Sequence, residues 1–165
     1  MNMGYQISMA KKLIIVAFLG LFSMASFAQD VLTESSLLKM RYELQAAGEE
    51  KDLNKFFALF TPKARVTLKM PANKGGSKQV MNLAKFKKMI KHVWSLPAEI
   101  ESKISGFDIS IAEDGQSAVI NNLINETIKI NGNTIKSEAK EKFMVTLING
   151  KPTIKSLKVN VLKQY

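Results

Sequence analysis

Between residues 106 and 161, apolar and polar residues alternate in four runs separated by turn-forming dipeptides. These dipeptides are Asp114-Gly115, Asn131-Gly132 and Asn149-Gly150. Strict alternation is typical of a β-strand with one buried face. Asp-Gly and Asn-Gly favour two-residue hairpin turns, because both central residues need a positive φ. The pattern therefore predicts a four-stranded antiparallel meander.

The turns also predict which residues lie opposite one another. A two-residue turn at Asn131-Gly132 would pair Ile130 with Asn133, and this register places the apolar residues of both strands on one face. A slip of one residue would move every side chain to the other face, so the apolar pattern specifies the register. The last turn needs a three-residue loop, or a bulge between Ile154 and Leu157, to keep the final run facing inward.

The chain before the meander shows helical spacing of apolar residues in three places, around 37–47, 51–60 and 82–96. Gly48, Pro62 and Pro97 are the corresponding stop signals. Residues 65–70 are predicted to form a short strand, with 79–81 as a strand that could pair with it. This order predicts an α+β fold in which N-terminal helices cover one face of a curved antiparallel sheet.

Residues 1–28 have the pattern of an export signal. Lys11 and Lys12 precede an apolar run, and the stretch ends in the small-residue sequence ASFA. We expect cleavage after Ala28, a single domain over 29–165, and a periplasmic or secreted protein. Met9 is an alternative start. The chain has no cysteine, which excludes disulfides, thiolate sites and a lipid anchor on cysteine.

Charge narrows the range of partners. The first 28 residues contribute two lysines and no acid, so the rest of the chain has 22 basic and 14 acidic residues, a net charge of +8. Arg41 and Arg65 are the only arginines, whereas nucleic-acid readers rely on arginine, so we expect no nucleic-acid partner. The lysines favour solubility. As a weaker alternative, the third predicted helix could contact an anionic surface through Lys85, Lys87, Lys88, Lys91 and His92.

Three stretches carry a resemblance to a known family: DLNKFFALFTPKARVTLKMP, LAKFKKMIKHVWSLP and the meander that starts at GFDISIAEDGQ. Together they resemble the nuclear-transport-factor-2-like superfamily, also called SnoaL-like or cystatin-like. The resemblance covers essentially all of residues 29–165 and implies a cone-shaped pocket between the helices and the concave sheet face. The superfamily includes isomerases, dehydratases, hydrolases, association domains and binding proteins, so the fold does not settle the function.

Two polar residues interrupt the inward apolar row of the longest strand, Asn122 and Glu126. The predicted register places Glu141 opposite Asn122, and helical spacing places Arg41 and Tyr42 on the apolar side of the first helix. The remaining pocket candidates are the aromatic residues Phe57, Trp94 and Phe143. An apolar pocket with a few convergent polar groups is typical of a ligand site. An Arg–Glu pair can equally be a structural network.

Fewer features of the sequence point to catalysis. Isomerases of the superfamily carry an acidic base near the end of the strand after the second helix, where this chain has Lys69 and Met70. Glu126 and Glu141 are weak alternative bases, with Tyr42 or Asn122 as hydrogen-bond donors. The single histidine, His92, is predicted to lie on the surface, so we predict no metal or cofactor site.

We therefore expect a non-catalytic protein that binds a small apolar or amphipathic molecule or a partner. An isomerase, dehydratase or hydrolase is the alternative, and an envelope interaction module is another. An enzyme should show an inward carboxylate with a raised pKa beside an open cavity. Aromatic residues that filled the cone would contradict both pocket hypotheses. A homodimer could form through the outer sheet face, where three apolar residues are expected: Val119, Leu123 and Met144.

Overall fold

A computed structural model describes residues 30–165, and the predicted export signal lies outside them. The helices are α1 (Glu34–Glu49), α2 (Leu53–Ala58) and α3 (Leu83–Trp94). The strands are β1 (Phe60–Lys69), β2 (Lys78–Asn82), β3 (Ala98–Ile111), β4 (Ser117–Ile130), β5 (Asn133–Ile148) and β6 (Lys151–Gln164). The predicted α+β fold is confirmed: helices cover a curved, unclosed sheet.

Side-chain caps set where each helix begins. Thr33 and Ser36 form a capping box at the start of α1. The Asp52 carboxylate accepts from two backbone N–H groups of α2, and the Asn82 side chain accepts from the Lys85 N–H of α3. These groups satisfy backbone donors that a helix leaves free in its first turn. Because the cap is Thr33, α1 begins three residues before the predicted start.

The sheet order is β2-β1-β6-β5-β4-β3. All neighbours are antiparallel except β1 and β6, which are parallel. The prediction of a purely antiparallel sheet was therefore wrong at this one pair. Alternation shows which face of a strand is buried but not which distant strand lies beside it.

The predicted register of the meander is confirmed. Asn122 lies opposite Glu141, and Ile120 lies opposite Phe143. Of the two alternatives at the last turn, the bulge is correct, since Lys155 is the extra residue between Ile154 and Ser156.

Two of the three turns have the predicted form. Asn131 and Asn149 have φ of 49° and 50°, and the glycine after each also has a positive φ. The first turn differs from the prediction. Ala112 N–H donates to Ser117 O at 2.9 Å, which leaves a four-residue loop whose third residue, Gly115, has a positive φ.

Strand β3 begins at Ala98, eight residues before the predicted start at Gly106. Gly106 has a φ of 64° and forms a bulge with Phe107 opposite Asn122. The sequence pattern predicts the start of the strand at this glycine, whereas the glycine lies at a bulge in the middle of β3. Bulges increase the local bend of a strand, and those in β3 and β6 contribute to the curvature that leaves room under the helices.

The core lies between the helices and the concave sheet face. Its most deeply buried side chains are those of Leu37, Val66, Met81, Ile120, Phe143 and Ile154. Beside them, five aromatic rings form a contiguous cluster: Phe56, Phe57, Phe60, Phe86 and Trp94. No helix of residues 30–165 is long and apolar enough to span a membrane.

Candidate ligand cavity

A cavity of about 260 Å³ remains between the helices and the sheet. The aromatic cluster therefore does not fill the cone. Its walls are largely apolar and come from α1, α2, α3 and five strands; they include Leu44, Phe56, Leu68, Phe86, Met89, Ile90, Trp94, Ile100, Ile124, Leu157, Val159 and Val161. The polar side chains Arg41, Gln45, Glu49, Ser102, Glu126, Ser137 and Glu141 also reach it.

Arg41 is the centre of a closed polar network at one end of the cavity. Its Nη2 lies 2.5 Å from Glu141 Oε2, and its Nε donates to Asn122 Oδ1 at 3.3 Å. Asn122 Nδ2 in turn donates to Glu141 Oε2 at 2.9 Å. The Arg41 guanidinium also lies over the Phe143 ring, 5.0 Å from its centroid. Each polar group of the network thus has a partner, as buried charges require.

The local structure explains this arrangement. Arg41 lies one turn after Leu37 and one before Leu44, both of which are buried, so α1 turns its guanidinium towards the sheet. Asn122 and Glu141 are directly opposite on β4 and β5, where side chains at one register position share a face. The result is a neutral ion pair, with Arg41 only 2% exposed.

Glu126 is an ionisable group of the cavity wall that lies outside this network. It lies four residues beyond Asn122 on the same face of β4, opposite Ser137. Within residues 30–165 its carboxyl group has no hydrogen-bond or ion-pair partner. Burial raises the pKa of Glu126, the nearby Glu141 charge raises it further, and Arg41 opposes the rise. Glu126 therefore takes up a proton more readily than an exposed glutamate.

The predicted pocket residues divide into three groups. Arg41, Trp94, Glu126 and Glu141 line the cavity, and Asn122 and Phe143 lie beneath its polar end. Tyr42 and Phe57 do not line it.

Tyr42 is 54% exposed and packs edge-on against Phe107. Successive residues of a helix point about 100° apart around its axis, so Tyr42 is directed away from the sheet that Arg41 faces. Phe57 is buried in the aromatic cluster, where it meets Phe60 and Phe86 instead of the cavity.

Three further polar residues of the cavity wall were not predicted from the sequence: Gln45, Glu49 and Ser102. Gln45 Nε2 donates to Ser102 O and to Glu49 Oε1, each at 2.9 Å. Gln45 and Glu49 follow Arg41 at intervals of four, so helical spacing could have found them. Ser102 was missed because the first half of β3 was not predicted.

His92 is exposed on α3. Within residues 30–165, no three His, Cys, Asp or Glu side chains lie together in a way that could hold a metal ion. The end of β1 carries the exposed Lys69, and the cavity wall there is Leu68.

No family model matches the sequence, and no curated protein matches it either. Solved structures do resemble it. A protein from Novosphingobium aromaticivorans that is provisionally named a scytalone dehydratase shares 10% identity at a TM-score of 0.69, over 79% of this chain and 85% of its own.

Two further structures also cover 79% of this chain. A nuclear-transport-factor-2-like protein from Cytophaga hutchinsonii is 12% identical over all of its length, with a TM-score of 0.63. A type 2 hexachlorocyclohexane dehydrochlorinase is 7% identical over 86% of its length, with a TM-score of 0.66. At these identities the likeness establishes the fold, which is nuclear-transport-factor-2-like.

Proposed function

We propose that this protein is exported and binds a small amphipathic molecule in the cavity between helices and sheet, without transforming it. The observation that carries the proposal is an unfilled, mainly apolar cavity with a polar end. Burying the apolar part of a ligand there would contribute about 25 cal/mol for each Å² removed from water. The free carboxyl group of Glu126 would meet the ligand's polar group.

Binding without catalysis is favoured by the state of the polar residues. The amide of Asn122 is engaged by Arg41 and Glu141, and the hydroxyl of Tyr42 lies outside the cavity. The two hydrogen-bond donors expected of an enzyme are therefore unavailable to a substrate. A general base needs such donors to stabilise the charge that proton abstraction creates.

Native mass spectrometry of residues 29–165, purified from its own cell envelope without detergent, tests the proposal. We expect a bound small molecule in the wild type and its loss in Ala139→Leu, because Ala139 lines the cavity and is 5% exposed. Ala46→Leu is the matched control, since Ala46 is exposed on α1. A wild-type mass without any ligand would contradict the proposal, and so would an Ala139→Leu variant that retains the ligand.

Proton transfer by Glu126 is a second candidate function. A carboxyl group with a raised pKa beside an open cavity favours it, since a base works best when its pKa lies near the working pH. Two of the similar structures carry the names of a dehydratase and a dehydrochlorinase. In D₂O, the bound molecule identified above should then exchange a carbon-bound hydrogen with wild type but not with Glu126→Gln. Binding without exchange in both proteins would rule this candidate out.

A further inference from the structure

We propose that the ligand of this cavity is a small amine, whose ammonium group pairs with Glu126 while its apolar or aromatic body fills the space beside Trp94. The proposal rests on the proposed binding function and adds the charge and size of the ligand. Three features support it: the charges that face the cavity, the aromatic rings of its wall, and its volume.

The charges facing the cavity favour a cation. Among residues 30–165, four charged side chains reach it: Arg41, Glu49, Glu126 and Glu141. No lysine of this part of the chain lines it, although lysine and arginine make up 24 of the 165 residues of the full sequence. Arg41 is neutralised by Glu141, so within the described residues no cation remains for Glu126.

A ligand carboxylate or phosphate would therefore add a like charge beside Glu126 and Glu141. An ammonium group would instead supply the partner that Glu126 lacks. An ionised carboxylate in an apolar cavity is costly unless it is paired.

The aromatic wall suits the same ligand. Trp94 and Phe56 both line the cavity and meet edge to face, with centroids 5.3 Å apart. An aromatic ligand body could pack against these rings in an offset or edge-to-face arrangement while its ammonium group meets Glu126. Apolar residues of α3, Met89 and Ile90, cover the rest of that side.

The volume limits the ligand's size. About 260 Å³ lies just under the roughly 300 Å³ at which typical ligand pockets begin. This volume favours a compact amine with one ring or a short chain over a long-chain lipid.

The pairing has a defined pH dependence. The other polar and charged side chains that line the cavity with Glu126 are Arg41, Gln45 and Glu49 of α1, Ser102 of β3, and Ser137 and Glu141 of β5. Protonation of Glu126 removes the charge that holds the ammonium group, and its pKa is raised by burial. Affinity for an amine should therefore increase as pH rises through the titration of Glu126, up to the pH at which the amine itself loses its proton.

Trp94 is the only tryptophan, so intrinsic fluorescence reports directly on this cavity. The test titrates residues 29–165 with three molecules of matched shape: 3-phenylpropylamine, 3-phenylpropan-1-ol and 3-phenylpropanoate. We expect the amine to bind at least about ten-fold more tightly than the alcohol, and the carboxylate most weakly. Because the chain outside the signal has a net charge of +8, non-specific attraction would give the opposite order.

Glu126→Gln removes the charge and keeps the shape. This variant should lose the preference for the amine and keep the affinity for the alcohol. Glu113→Gln, at an exposed turn position, should match the wild type.

Equal or tighter binding of the alcohol or the carboxylate would overturn the amine proposal while leaving the cavity's binding function intact. An amine preference that survives in Glu126→Gln would overturn the pairing with Glu126. Failure of all three molecules to change Trp94 fluorescence would count against the proposed binding function as well.

Discussion

Arg41 is a buried cation, and its hydrogen-bond and ion-pair partners are side chains of the same chain. We therefore expect it to stabilise the folded protein. We expect Arg41→Met to lower the free energy of unfolding by about 3–5 kcal/mol, because Glu141 is left as an unpaired, nearly buried charge. Urea unfolding followed by circular dichroism measures the loss. Lys39→Met is the control: Lys39 is on the same helix but 77% exposed, so its loss should change stability by less than about 1 kcal/mol.

The double variant Arg41→Met/Glu141→Leu separates the charge effect from loss of packing. Replacing both members of a buried ion pair with apolar residues is often close to neutral. We therefore expect the double variant to recover part of the stability lost in Arg41→Met, although the buried Asn122 amide, which loses both partners, still costs about 1–3 kcal/mol. A double variant that is as unstable as the sum of the two single changes would show that Arg41 acts through packing rather than through its charge.

Glu126 should make stability depend on pH in the opposite sense to a paired carboxylate. Its pKa is raised in the folded state by burial and by Glu141, so the folded chain binds more protons than the unfolded chain above the ordinary value of about 4.5. Stability from this group therefore falls as pH rises through that window. Glu126→Gln, which does not titrate, should be more stable than wild type at pH 7, and this excess should shrink as pH falls towards about 4.5 and be nearly gone below it.

Thermal unfolding of wild type and Glu126→Gln between pH 4 and pH 8 measures this excess. Glu113→Gln, whose side chain is exposed, should follow the wild type throughout. A constant difference between Glu126→Gln and wild type across this range would mean that Glu126 is not desolvated in the folded protein.

At the level of the elements, the hairpin turns differ in how much they depend on glycine. Gly115 and Gly132 both have a positive φ, near 70°, where a side chain costs about 1–2 kcal/mol. A Cβ at Gly132 would meet nothing within 4 Å, whereas one at Gly115 would lie 2.7 Å from Val31 Cβ. We expect Gly115→Ala to reduce the unfolding free energy more than Gly132→Ala does. Equal losses in urea unfolding would show that the segment around Val31 moves aside freely.

The meander was predictable because two local signals agreed. The period-two alternation and the Asn131-Gly132 turn specify one register, and residues far from the turn, such as Asn122 and Glu141, follow from it. The first half of β3 and the parallel pairing of β1 with β6 were not predictable in this way. The glycine at the β3 bulge, Gly106, has the sequence pattern of a strand end. The parallel partner of β1 lies some ninety residues away in sequence, where no local pattern can indicate it.

The candidate site was predictable to the same extent. The helical spacing of α1 predicts that Arg41 faces the sheet, and the strand register predicts that Asn122 and Glu141 lie opposite each other. The network could therefore be predicted from the helical and the strand periodicity. The predicted position of Tyr42 was wrong, because one residue step along a helix changes the direction of the side chain by about 100°. Whether side chains fill a cone depends on packing in three dimensions, which neither periodicity contains.

At the scale of the whole molecule, the outer sheet face is the predicted site of homodimer formation. Val119 and Met144 lie opposite one another there, as predicted, and Met144 is 41% exposed. Lys142 lies directly opposite Lys158 on the same face, and like charges in that position repel. A homodimer through this face stays a prediction, and it should tighten with added salt. Sedimentation of wild type and Met144→Lys at low and high salt tests it, because only the wild type should associate.

The contacts of the first described residues are relevant to the predicted cleavage of the export signal. Leu32 is 3% exposed and its N–H donates to Gly115 O at 2.8 Å, while Gln116 Nε2 donates to Asp30 O at 3.0 Å. Residues 30–32 thus belong to the folded domain, and cleavage after Ala28 would leave them all in place. We expect the protein recovered from the cell envelope to have the intact mass of residues 29–165.

A chain that begins at Thr33 should be less stable than residues 29–165 by at least about 2 kcal/mol. It loses the burial of Leu32, worth roughly 1.5–3 kcal/mol, as well as two hydrogen bonds. Urea unfolding of the two chains measures the difference, and Val31→Ser is the control for loss of an exposed side chain in the same segment. An envelope protein that begins beyond Leu32, or that retains residues 1–28, would contradict the predicted cleavage site, whereas equal stability of the two chains would contradict the anchoring role of residues 30–32.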